Sequence, residues 1–169
     1  MARNIEIKAR VINMDTLTTV ASAMATEAPI QIQQDDTFFK CDLGRLKLRA
    51  FAGGTGQLIF YRRANELGPK ESFYCLSSTD CPDTLRETLS LAYGQAGRVR
   101  KMRTLVIVGR TRIHLDVVEG LGNFMELEVV LDQSEKTDVG VKEANELLSR
   151  LGVRGEDLIE HAYVDLLTR

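Results

Sequence analysis

Charged side chains recur at every second residue in two short segments near the ends of the chain. Glu6 and Lys8 are separated by one apolar residue in the first segment, and so are Glu126 and Glu128 in the second. If both segments are strands, each has one aliphatic face and one charged face. Carboxylates on one face repel each other unless cations lie among them, and oxygen ligands suit a hard ion such as Mg²⁺ or Mn²⁺.

Basic side chains follow the same spacing in the segments between these two. Arginines bind phosphate oxygens and carboxylates bind metal ions, so the combination predicts a site for a metal-bound polyanion. His114 and Asp116 add an imidazole and one more carboxylate at the same spacing. The basic residues are Arg45, Lys47, Arg49, Arg62, Arg63, Lys101 and Arg103.

A simpler interpretation is that each charged face is wet, because an alternating strand is most often half buried. Five segments carry charges at this spacing, and an ordinary solvated face would contain more Thr, Ser and Gln among them. The repetition therefore favours charged faces that look into one another across a closed sheet.

Length and composition predict one globular domain over residues 1–169, with 44% hydrophobic and 27% charged residues. The net charge of −2 gives no global attraction for nucleic acid or acidic membranes, so any preference for a polyanion is local. The odd number of cysteines, Cys41, Cys75 and Cys81, favours a reducing compartment. The sequence shows neither the apolar core of a signal peptide nor a stretch long enough to span a membrane, so we expect a cytoplasmic protein. We also expect a monomer or homodimer without nucleic-acid or membrane partners.

Periodicity and turn residues predict an α+β arrangement of strands with short connections. Gly152 is expected to end the last long helix as a left-handed cap, before a tail with a short helix. The predicted helices are Met14 to Thr26, Pro82 to Ala92 and one that begins at Thr137 or Asp138. The predicted strands are Arg3 to Ile12, Ile30 to Cys41, Arg45 to Ala52, Gln57 to Ala64, Ser72 to Ser78, Val99 to Gly109, Thr111 to Val118 and Asn123 to Leu131.

Six motifs in order over most of the chain resemble the CYTH superfamily, also called triphosphate tunnel metalloenzymes. They are Glu-Ile-Lys, Gly-Arg-Leu-Lys-Leu-Arg, Tyr-Arg-Arg, Val-Arg-Lys-Met-Arg, His-Leu-Asp-Val-Val and Gly-x-Phe-x-Glu-Leu-Glu. The resemblance implies a closed antiparallel barrel of eight strands with a charged tunnel inside and helices outside. It also implies hydrolysis of a small triphosphate, or cyclisation of ATP, with Mg²⁺ or Mn²⁺.

Carried over to this sequence, the resemblance implies roles for individual residues. Glu6, Glu126 and Glu128 correspond to metal ligands, and Asp116 is a further acidic candidate. His114 and Tyr61 are neighbours without an assigned role. The implied triphosphate-binding residues are Lys8, Arg45, Lys47, Arg49, Arg62, Lys101 and Arg103.

The catalytic candidates are Glu6 and Lys8. Glu6 would help to hold the metal that orients the attacking water. Lys8 could accept a proton if neighbouring cations favour the neutral form of its amine. The favoured alternative is that Lys8 stays charged and binds phosphate.

The chain departs from the family pattern at Asn4, where the family has the first glutamate of its opening motif. Asparagine offers only a neutral carbonyl, so the site loses one negative charge and a second metal is in doubt. We expect a metal-dependent hydrolase of tripolyphosphate, thiamine triphosphate or a nucleoside triphosphate. The alternatives are an adenylyl cyclase of the class IV type and a triphosphate-binding module without catalysis.

Overall fold

Residues 1–168, which the computed structural model describes, contain eight β-strands that pair antiparallel into a closed barrel. The strands are β1 (Ala2–Arg10), β2 (Ile30–Phe39), β3 (Arg45–Phe51), β4 (Gly56–Arg63), β5 (Lys70–Thr79), β6 (Gln95–Val108), β7 (Thr111–Val118) and β8 (Gly122–Leu131). Their order around the barrel is β1-β5-β4-β3-β2-β6-β7-β8. The predicted eight-stranded antiparallel barrel is confirmed.

The helices of the described residues pack outside the barrel and agree with the predicted ones. They are α1 (Met14–Ala23), α2 (Pro82–Tyr93), α3 (Thr137–Arg150) and α4 (Tyr163–Leu167), with a 3-10 turn at Gly155–Asp157. Asn13 caps α1 by accepting a hydrogen bond from the Thr16 amide at 3.0 Å. Gly152 has a φ of 70°, which confirms the predicted left-handed cap after α3.

The larger apolar core lies between the barrel wall and the helices. Ile5 and Ile7 of β1 and Leu127 and Val129 of β8 are fully buried, and Leu147 of α3 belongs to the same cluster. Full burial of each such side chain contributes roughly 1.5–3 kcal/mol. Because side chains alternate along a strand, fixing these residues outward forces their charged neighbours into the barrel.

One end of the barrel interior is filled by a second apolar cluster. Phe38, Val99, Val118 and Phe124 are buried there, and Tyr163 of α4 packs on Phe124 with ring centroids 5.0 Å apart. These side chains close that end of the interior, so the space that remains opens toward the other end.

Among residues 1–168, no helix combines the length and the apolar character that crossing a membrane requires. The predictions of a single domain, of a cytoplasmic location and of a monomer or homodimer stay predictions.

Candidate functional site

The inner faces of the strands enclose a cavity of about 340 Å³. Among the described residues, six basic side chains and three carboxylates line it, which leaves an excess of three positive charges when all are ionised. Such an excess favours a bound polyanion. The basic residues are Lys8, Lys47, Arg49, Arg63, Arg103 and Arg112, and the carboxylates are Glu6, Glu126 and Glu128.

Potential metal ligands converge on one wall of this cavity. His114 of β7 lies opposite Glu126 of β8 in the strand register, and Glu128 follows on the same face. Their ligand atoms lie within 4.8 Å of one another. His114 Nδ1 is 3.5 Å from Glu126 Oε2 and has no hydrogen-bond partner within residues 1–168. An unpartnered imidazole nitrogen beside two carboxylates fits a divalent cation.

The surroundings keep these three groups in the protonation states that metal ligands need. Burial, followed by the charge of Arg103, lowers the pKa of His114, so the imidazole is neutral at pH 7. Burial opposes the ionisation of Glu126, but its neighbours, above all the positive charge of Lys8, hold its pKa well below the usual range. Burial also opposes the ionisation of Glu128, and its neighbours, the Arg112 guanidinium among them, keep its pKa low.

The two catalytic candidates lie on the same face of β1 and both line the cavity. Lys8 Nζ is 2.6 Å from Glu126 Oε1 and 4.0 Å from the ring centroid of Tyr163. Glu6 lies directly opposite Glu128 in the β1–β8 register, and its Oε1 is 3.3 Å from Arg63 Nε. The structure therefore brings Glu6 to the metal-ligand wall, and its catalytic role stays a prediction.

A buried carboxylate that the sequence did not single out positions part of the basic cluster. Asp36 of β2 lies 2.8 Å from Lys47 Nζ, 2.7 Å from Arg49 Nε and 3.4 Å from Lys101 Nζ. Burial opposes its ionisation, but these three cations hold the pKa of Asp36 well below its usual range. Lys101 is buried on the same inward face of β6 as Arg103 but does not line the cavity, and its Nζ supports Asp36.

Asp116, predicted as a further metal ligand, lies outside the metal-ligand cluster. Its two oxygens accept hydrogen bonds from Arg103 at 2.7 and 2.6 Å, and the Tyr163 hydroxyl donates another at 3.0 Å. Arg103 Nη2 also donates to Glu126 Oε2 at 2.8 Å. Asp116 therefore orients Arg103, and three of its roughly four lone pairs already accept hydrogen bonds.

Two predicted phosphate-binding residues lie away from the cavity. Arg62 is exposed on the outer face of β4, because the odd-numbered residues Tyr61 and Arg63 face inward there. Arg45, at the start of β3, donates two hydrogen bonds to Asp165 of α4, at 2.9 and 2.7 Å. In the structure Arg63 occupies the position that was expected for Arg62.

Three cavity residues that could bind a metal or a phosphate are absent from the predicted metal-ligand and triphosphate-binding residues. Arg112 stands two residues before His114, so the spacing of two already pointed to it. His114 was noticed as a neighbour without a role, and the structure makes it part of the metal-ligand cluster. Arg63 was recognised as basic, but two adjacent arginines left open which of them faces inward.

Buried polar atoms that make no hydrogen bond are typical of a site that binds a polar ligand. Within residues 1–168, Asn4 Oδ1, Gln34 Oε1, Arg63 Nε and His114 Nδ1 are buried and make no hydrogen bond. All four residues line the cavity. An unsatisfied buried polar atom costs about 1–3 kcal/mol, so a bound polar ligand that supplies the missing partners is stabilised.

Comparison with known proteins agrees with this geometry. The CYTH domain profile matches residues 2–163. Adenylate cyclase CyaB of Aeromonas hydrophila is 24% identical over an alignment of 169 positions, which covers 94% of this chain and 85% of that protein.

Solved structures share the barrel. The PH1012 protein of Pyrococcus horikoshii has a TM-score of 0.85 and 22% identity, over 96% of this chain and 98% of that one. HpAC1 of Hippeastrum, an adenylyl cyclase relative described with a dominant triphosphatase activity, has a TM-score of 0.63 and 17% identity, over 98% and 94% of the two chains. With a profile match across nearly the whole sequence and the same barrel, the chain belongs to the CYTH domain family.

Proposed function

We propose that this protein is a divalent-metal-dependent hydrolase of a small linear triphosphate. The observation that carries the proposal is the composition of the cavity, where an excess of basic side chains lies beside the cluster of His114, Glu126 and Glu128. A triphosphate carries about four negative charges, and its hydrolysis requires positioning and neutralisation more than covalent catalysis.

The cluster of His114, Glu126 and Glu128 would hold the metal, and Glu6 opposite Glu128 would add an oxygen ligand. A bound Mg²⁺ or Mn²⁺ supplies charge neutralisation for phosphate oxygens and lowers the pKa of a coordinated water. The imidazole in the ligand set favours Mn²⁺ over Mg²⁺, because nitrogen ligands suit transition metals better.

The basic residues bind and orient the phosphate chain. Arg49 and Arg103 are each held by a bidentate carboxylate, Asp36 and Asp116 respectively, which fixes their guanidinium planes. Lys8 Nζ forms an ion pair with the Glu126 carboxylate at 2.6 Å and lines the cavity. This supports the interpretation of Lys8 as a phosphate-binding residue rather than a proton acceptor.

The test is release of orthophosphate from tripolyphosphate, thiamine triphosphate and ATP with Mg²⁺ or Mn²⁺. We expect turnover of at least one of them, abolished by chelation, and preserved in the exposed-surface control Glu146→Gln. Absence of turnover on all three substrates with both metals would refute the proposal.

A second candidate is cyclisation of ATP, favoured by the similarity to adenylate cyclase CyaB across 94% of the chain. Cyclisation uses the same triphosphate site, but the ribose 3′ hydroxyl attacks the α-phosphorus. Cyclic AMP and pyrophosphate appearing from ATP would establish this activity, whereas orthophosphate alone would exclude it.

A further inference from the structure

The helix α4 and the residues before it, 158–167, lie across the filled end of the barrel, and we call them the α4 segment. Hydrogen bonds attach this segment to two strands of the cavity wall. The Ile159 amide donates to the Lys8 carbonyl of β1 at 3.0 Å. From β4, Arg63 Nη1 donates to the Glu160 carbonyl at 3.1 Å. The α4 segment is therefore bound to strands whose side chains line the cavity.

Two further contacts fix the position of α4 itself. Val164 packs on Gly97 of β6 so closely that a Cβ at residue 97 would collide with it. Asp165 accepts two hydrogen bonds from Arg45 of β3, at 2.9 and 2.7 Å. The residue before this pair, Tyr163, is thereby held in a defined place inside the barrel end.

Tyr163 contacts two cavity cations from the side away from the ligand space. It is 4% exposed and does not line the cavity. Its hydroxyl donates to Asp116 Oδ2 at 3.0 Å, and Asp116 accepts two hydrogen bonds from Arg103. Burial raises the pKa of Tyr163 well above its ordinary value, so the hydroxyl keeps its proton and donates. The ring lies beneath Lys8, whose Nζ is 4.0 Å from the ring centroid.

Both contacts restrict how the cations can move. Arg103 also donates to Glu126 at 2.8 Å, so its guanidinium has two acidic partners and its orientation depends on how firmly Asp116 is held. Lys8 Nζ lies between Glu126 and the aromatic face of Tyr163, which attracts a cation. Removal of the hydroxyl frees the Asp116 carboxylate to rotate, and removal of the ring leaves space into which the ammonium can turn.

We propose that Tyr163 is a positioning residue, which holds Lys8 and, through Asp116, Arg103 in the orientation that binds phosphate. The inference rests on the proposed function and deepens it, because tight binding of the triphosphate then depends on the docking of α4. The alternative is a purely structural role, in which Tyr163 only fills space against Phe124.

The test measures tripolyphosphate affinity by calorimetry in the absence of divalent metal. Tyr163→Phe removes only the hydroxyl, and we expect it to weaken binding about fivefold. Tyr163→Leu also removes the aromatic face beneath Lys8, and we expect a further loss of about fivefold, which the conservative Phe variant restores. Wild-type affinity in both variants would overturn the inference.

A double-mutant cycle shows whether the hydroxyl acts through Arg103. Arg103→Lys keeps a positive charge but cannot donate the two parallel hydrogen bonds to Asp116. In the Arg103→Lys background we expect Tyr163→Phe to change affinity less than about twofold. An equal loss in both backgrounds would show that the hydroxyl does not act through Arg103 and would overturn the inference.

Controls separate positioning from stability. Val164→Ala removes packing on Gly97 from the same helix and leaves Tyr163 unchanged, so we expect a lower melting temperature with affinity within about twofold of the wild type. Tyr93→Phe removes the hydroxyl of an exposed tyrosine on α2 and should change neither quantity. If Val164→Ala weakens binding as much as Tyr163→Phe, the effect is one of stability and the inference is overturned. If Tyr163→Leu fails to fold, the cycle with Tyr163→Phe decides.

The two proposals fail in different ways. Binding that depends on Tyr163, without phosphate release from any substrate, overturns the hydrolase and leaves the positioning role. Phosphate release, with both Tyr163 variants at wild-type affinity, overturns the positioning role and leaves the hydrolase. If the wild type does not bind tripolyphosphate at all, both are overturned.

Discussion

The ammonium group of Lys47 lies in an unfavourable place for a positive charge. Burial, followed by the charge of Arg49, lowers its pKa from 10.5 to about 7, with Lys101 contributing and Asp36 opposing. The free protein therefore holds this proton only partly at neutral pH.

A bound triphosphate brings negative charge to Lys47 and raises its pKa, so we expect binding to take up a proton. At pH 8 the free lysine is roughly 10% protonated, and uptake approaches about 0.9 proton per ligand if binding restores the ordinary pKa. Since the bound form holds the proton that the free form lacks, affinity falls as pH rises. The loss is up to about tenfold per pH unit between roughly pH 7 and 10.

Calorimetry of tripolyphosphate binding at pH 8, in two buffers of different ionisation enthalpy, measures this uptake directly. Lys47→Arg is the matched control, because arginine stays charged throughout the range. Protonation of the ligand, and of Lys70, whose pKa burial lowers to about 8, contributes to both proteins and cancels in the difference. Equal proton uptake by Lys47→Arg and the wild type would refute the reasoning.

Three further predictions concern the metal ligands and the basic residues proposed to bind phosphate. Glu128→Gln should lower kcat/KM by about 100-fold or more and raise the Mn²⁺ concentration for half activity, and normal metal dependence would contradict the ligand assignment. Arg63→Ala should weaken tripolyphosphate binding about tenfold or more, while Arg62→Ala changes it less than about twofold; calorimetry that finds the reverse would contradict the observed strand register. Asn4→Glu should raise kcat more than it changes KM, and more with Mn²⁺ than with Ca²⁺, because it adds a carboxylate beside Glu6. A loss of activity in Asn4→Glu would show that the amide is already suited to the site.

The sequence by itself determined the architecture and much of the site. Alternation of apolar and charged residues is a local property of a strand, so the eight strands and the shared faces of Glu6 with Lys8 and of Glu126 with Glu128 could be predicted. Helix ends also depend on local sequence, so the end of α3 before the left-handed Gly152 could be predicted.

The tertiary structure decided which of these charged groups remain available to a ligand. Adjacent Arg62 and Arg63 are equivalent in the sequence, and only packing of β4 in the barrel turns Arg63 inward. Asp116 accepts hydrogen bonds from Arg103 and Tyr163, and Tyr163 lies 47 residues away along the chain. Such ion pairs depend on strand register and on where α4 docks, which alternation within one strand does not encode.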